Sequence, residues 1–134
     1  MFEFPVTIED EALPAMGERF GSAQDVVRRI ARHQGLVVVL THPNITGHKL
    51  EFSERLVDAW KAQAWIGPLR EFGQWWAARD ALDFDIERAG DAWVATAHSE
   101  SGVHDLVVQL PKAGTRTLRL DLAPGAASRT VLAR

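Results

Sequence analysis

The apolar residues of this chain change their period at Asp80. Before that point they recur every three or four residues, between short continuous apolar runs. Beyond it they alternate: Leu82, Phe84 and Ile86 are separated by Asp83 and Asp85, the two-residue repeat that places every second side chain on one face of a strand. Further alternating stretches at 93–97, 104–110, 115–122 and 128–133 are separated by segments rich in Gly, Pro and Asp at 89–91, 111–114 and 124–128, which read as turns. No single element type satisfies both periods. The expected fold is α+β overall, with an αβ portion over 1–80 and a small antiparallel β appendage over 81–134.

The first portion reads as strand, helix, strand, helix, helix. A short strand is expected over 2–8, with Pro5 restricting it to an edge, a strand start or a bulge. Residues 9–21, broken by Pro14 and Gly17, read as a loop with one helical turn around Met16 and Phe20. A helix is expected over 23–34, with Ser22 as N-cap, Asp25 as its first-turn acid, Val26, Val27 and Ile30 as its stripe, and Gly35 as its stop. The run 36–40 reads as a buried strand. Thr46 and Gly47 open the next helix, 47–64, whose buried side is expected to carry Leu50, Val57, Trp60 and Ala64, broadened by Phe52 and Leu56. Pro68 takes the first position of a third helix, with Leu69, Phe72 and Trp76 as its stripe through Asp80. Two strands with helices between them make a poor sheet alone, so 1–80 reads as a fragment of a larger parallel sheet or barrel. The β appendage is expected to pack an apolar face on it.

Composition narrows the functional classes. The 134 residues hold no cysteine, which removes disulfides, thiolate metal sites and cysteine nucleophiles. Fifteen basic residues against eighteen acidic ones, with no basic stripe, argue against a nucleic-acid partner. No run approaches the ~18 apolar residues of a membrane span, and the first thirteen residues carry acids where a signal peptide needs a basic head. The chain as given is expected to be cytoplasmic and not membrane-bound.

His42 is the best-placed reactive side chain. It follows the carboxyl end of the run 36–40, where parallel α/β folds bind ligands and perform chemistry. Two readings stand for it: a histidine hydrogen-bonded to a loop carbonyl, or the acid of a catalytic site. His48 reads as solvated, and His98 and His104 as decorations of a hairpin; no metal ligand is assigned. Asp25, Glu51 and Glu54 read as helix-surface charges, and Ser53, Ser99 and Ser101 lack the strained setting of a hydrolase nucleophile. Five tryptophans accompany no tyrosine. Trp60 and Trp76 fall on apolar stripes and read as core. Trp65 and Trp75 are expected to be partly exposed, with sugar stacking, a partner surface and simple packing all open.

The segments FEFPVTIED (2–10), VVLTHPN (38–44), HKLEF (48–52) and FGQWWAARD (72–80), in that order, resemble the C-terminal part of the polysaccharide deacetylases, the NodB-homology family. The resemblance covers about two thirds of the chain. It implies the end of a distorted β/α barrel that hydrolyses acetyl groups on glycans with a divalent metal such as zinc. His42 would then be the acid and Leu40 would line the acetyl pocket, while Trp65 and Trp75 are the candidate glycan contacts. The family's metal-binding motifs have no counterpart here, so the metal is expected only in a longer parent, and the isolated chain is expected to be inactive. The implied partners are the missing N-terminal barrel half and a glycan. The alternative is a non-catalytic module that forms homo-oligomers or binds carbohydrate.

Overall fold

A computed structural model describes residues 1–10, 15–42, 47–110 and 116–132. Mixed helix and strand bear out the α+β class. The chain divides into two compact units, Met1–Gly67 and Pro68–Arg134. This division falls before the third helix, not after it at 80/81, and the reason lies in that helix's contacts with the β-strands.

In the first unit, β1 (Ile8–Glu9) pairs in parallel with β2 (Val39–Leu40), with Ile8 opposite Val39 and Glu9 opposite Leu40. Helix α1 (Met16–Ala31) connects them and α2 (His48–Trp60) follows. Both strands are shorter than the expected 2–8 and 36–40, and residues 36–39 are half-buried rather than fully buried. Leu40 is 39 % exposed.

Helix α1 begins seven residues ahead of its expected start at Ala23 and runs through Gly17 and Gly21. Each of those glycines costs roughly 1 kcal/mol in a helix, and packing outweighs them. Ala23 and Val27 are buried with Ile8 and Phe52, and Phe20 packs on the same cluster, meeting Phe52 edge to face at 5.6 Å between centroids. Ser22 therefore lies inside the helix, not at its cap, and Asp25 pairs with Arg28 at 2.7 Å on the exposed side. Val26 is exposed. The helix ends as Gln34, not Gly35, adopts a positive φ of 53°.

The inner stripe of α2 is Lys49, Phe52, Leu56 and Trp60, spaced three, four and four residues apart. Leu50 and Val57, expected inside, are exposed at 54 % and 41 %. Gly47, with φ 76°, precedes the helix; Thr46, the other expected opener, lies outside the described residues, as do Pro14 and the turn at 111–114. Trp60 is half-buried, and its indole N–H donates to buried Gln24 at 3.0 Å.

The second unit comprises α3 (Leu69–Asp80) and the strands β3 (Asp83–Ala89), β4 (Ala92–Ser99), β5 (Val103–Leu110), β6 (Arg116–Leu122) and β7 (Ala126–Leu132). They form an antiparallel sheet ordered β3-β4-β7 and a separate antiparallel pair β5-β6. Phe84 lies opposite Ala97, and this face contributes to a core of Ala97, Val103, Leu106, Leu120 and Leu122. Trp75 also packs on that core, while its indole N–H donates to the His104 carbonyl at 2.7 Å. These contacts group α3 with the strands. Trp76, expected in the core, is half-buried under the Arg79 guanidinium, 4.6 Å from its ring centroid.

Candidate functional site

Parallel pairing brings two segments thirty residues apart to the same end of the small sheet. The Thr7 and Ile8 amides donate to the Val38 carbonyl at 2.8 and 3.1 Å, and the Asp10 amide donates to the Leu40 carbonyl at 3.2 Å. The Thr7 hydroxyl accepts from the Val38 amide at 3.2 Å. Asp10 and His42 thus emerge beyond the carboxyl ends of adjacent strands, the position where the sequence placed His42.

The Asp10 carboxylate organises this end of the unit. Its side chain has no exposed surface. Oδ2 accepts the His42 backbone N–H at 2.6 Å, and Oδ1 lies 2.7 Å from His42 Nδ1. Lys49 Nζ stands 2.9 Å from Oδ2. Lys49 reaches this point because it occupies the inner stripe of α2, three residues before Phe52; its side chain is 6 % exposed. The Lys49 contact is an ion pair by distance.

Burial by itself raises the Asp10 carboxyl pKa and is the largest single influence on it. The His42 amide, the His42 ring and the nearby Lys49 ammonium together outweigh burial, holding the carboxyl well below the ordinary value of 3.8. Asp10 is therefore ionised at neutral pH and can only accept hydrogen bonds. Nδ1 of His42 must then carry the proton it shares with Oδ1. In the neutral ring the basic lone pair is on Nε2, the tautomer that an Asp–His pair imposes in proton-transfer sites. The His42 side chain is 40 % exposed, so the dyad has one buried end and one end at the surface.

Sequence reading located His42 but missed Asp10 and the lysine that pairs with Asp10. Asp10 counted only among the acids of the N-terminal stretch and as the end of the 2–10 segment, and Lys49 drew no reading of its own. The available signals were the end-of-strand position of Asp10 and the 49, 52, 56, 60 spacing, which places a lysine on an otherwise apolar stripe.

The side chains of the remaining candidates are not among those that contact Asp10. Leu40 is exposed and ends β2. Trp65 is 59 % exposed, and its ring covers Gly67 so closely that a Cβ there would come within 2.4 Å of it. Trp75 belongs to the second unit and is tied to its core, which favours packing over an open stacking platform. His104 is exposed, with Nδ1 3.9 Å from Asp121. Among the described residues no group of three His, Asp or Glu side chains is placed to hold a metal ion. Asp10 and His42 offer two donors where catalytic zinc needs three and an open position. The Lys49 ammonium also lies against the carboxylate that a second cation would need. The donor set of the described residues does not fit the metal that the deacetylase resemblance implies.

No family model, no curated protein and no solved structure matches the chain.

Proposed function

We propose that the Met1–Gly67 unit is the proton-transfer part of a polysaccharide deacetylase-like hydrolase, contributed by the C-terminal region of its barrel, with His42 as the general acid. The observation that carries this reading is the 2.7 Å contact between His42 Nδ1 and the buried Asp10 carboxylate, at the carboxyl ends of two adjacent parallel strands. The carboxylate fixes the ring tautomer, so protons pass through Nε2. When an acetamide is hydrolysed, the departing amine must be protonated. The Nε2–H bond of the imidazolium breaks, the proton forms the new N–H bond of the amine, and the ring returns to neutral. A positioned acid of this kind contributes about 10²–10⁴-fold to rate.

The test is acetate release from an acetylated chitooligosaccharide by the polypeptide isolated from its source cells, with His42→Ala introduced there. The expected result is a fall in kcat of about 10²–10⁴-fold with KM little changed. A full rate without His42 overturns the assignment.

A second reading, a non-catalytic module that oligomerises or binds carbohydrate, is favoured by Leu50, Val57 and Trp65, all exposed on the first unit. Exposed apolar surface, where it is contiguous, is a common mark of an association or ligand-binding face. Sedimentation of the pure chain distinguishes the two readings: a monomer at high concentration, with no change in Trp65 fluorescence on adding oligosaccharide, removes the module.

A further inference from the structure

We infer that Lys49 is a positioning residue for His42: its buried ammonium holds the second oxygen of Asp10, keeps Oδ1 directed at Nδ1, and eases proton release from Nε2. The inference deepens the proposed role of His42 and rests on it only for its catalytic consequence.

The argument starts from charge. An ionised Asp10 and a neutral His42 would leave one negative charge without exposed surface, which is costly unless it is paired. Lys49, 2.9 Å away and itself buried, neutralises that charge when the ring is neutral. When the ring gains a proton, the Asp10 carboxylate faces two cations, so protonated His42 shares it with a competitor. Losing the proton removes that competition. A carboxylate without Lys49 would hold the imidazolium more tightly and make it a poorer acid near neutral pH.

Geometry acts in the same direction. With Oδ2 held by the His42 amide and by Lys49, the carboxyl plane is fixed and Oδ1 is left for the ring. Other elements supply different contacts. From α1, Arg19 donates to the Glu9 carbonyl at 2.7 Å, while Glu9, His48 and Glu51 are exposed. Lys49 and the His42 ring are the titratable groups that contact Asp10 among the described residues.

The test is nitrogen NMR of the histidine rings in the full chain, followed across pH for the wild type, Lys49→Met and Lys49→Arg. Methionine keeps a buried apolar stem of similar length and removes the charge. The expected result is that His42 titrates at higher pH in Lys49→Met, by about tenfold in proton affinity, and that arginine restores the wild-type curve. An unchanged curve in a folded Lys49→Met chain overturns the inference; the Trp60 indole signal reports the folded state. Should Lys49→Met not fold, the wild type still decides. The Lys49 side-chain nitrogen resonance must move as His42 titrates, and a resonance that stays fixed refutes the coupling. A shifted His42 titration in an enzyme whose rate does not need His42 upholds the Lys49 linkage and removes the deacetylase reading.

Discussion

Replacing Phe52 with alanine should cost the first unit about 3–5 kcal/mol. Phe52 is 1 % exposed and touches both helices' inner faces and the strand residue Ile8. A phenylalanine side chain buries roughly 200 Å²; at ~25 cal/mol per Å² that is about 5 kcal/mol, of which alanine keeps a small part. The edge-to-face contact with Phe20 at 5.6 Å adds about 0.5–1.5 kcal/mol, and an unfilled cavity adds to the loss. Domains are stabilised by about 0.05–0.15 kcal/mol per residue, so a unit of this length has roughly 3–10 kcal/mol in all. The substitution should consume a third of that or more and leave unfolded molecules detectable at room temperature. The assay is urea unfolding followed through the Trp60 indole N–H, which exists as a bonded signal only while α1 and α2 are docked. Phe52→Leu, which fills most of the space, should lose far less. A loss below about 1 kcal/mol for Phe52→Ala would refute a core centred on this ring.

Other outcomes follow from the same packing and charges. The native Asp10 carboxyl titrates below its unfolded value, so its contribution is complete above the ordinary 3.8 and is lost as pH falls through the native value. Acid unfolding of the first unit should therefore steepen below about pH 4 in the wild type, and Asp10→Asn should flatten that limb while lowering stability at neutral pH. Trp75→Phe keeps the ring but removes the donor to the His104 carbonyl, and should destabilise the second unit by about 1 kcal/mol in thermal unfolding. Gly102 has φ +80°, and a Cβ there would lie 3.1 Å from the Leu122 carbonyl oxygen. Gly102→Ala should thus cost about 1–3 kcal/mol, read as a lower melting temperature of the same unit.

The antiparallel half of the fold was legible because its signal is local. Alternation through Leu82, Phe84 and Ile86, and a turn at Gly90, fix strands without reference to distant residues. The five expected strands lie within three residues of those observed at each end. The first unit was less legible because its helices are set by partners remote in sequence. Gly17 and Gly21 read as breakers until Phe20 is seen against Phe52. Leu50 and Val57 have the seven-residue spacing of a buried stripe, yet Phe52, Leu56 and Trp60 form the stripe that meets α1. The site followed the same division. His42 is marked by its place after an apolar run, whereas Asp10 and Lys49 carry weaker local signals, a strand end and a place on a helix stripe, and neither signal encodes that the two meet.

The contacts that build the first unit share one span. Thr7 to Val38, Asp10 to His42 and Gln24 to Trp60 join residues separated by 31, 32 and 36 positions. A segment cut from this unit cannot keep the dyad, because no short stretch contains both of its members. Loop closure of this length is repaid only when several such contacts form together. Amide exchange at Asp10 and His42 should therefore keep pace with exchange at the Trp60 indole, in one opening event. The Asp10–His42 pair is consequently all-or-none: it is present in a molecule whose loop has closed and absent from one whose loop is open.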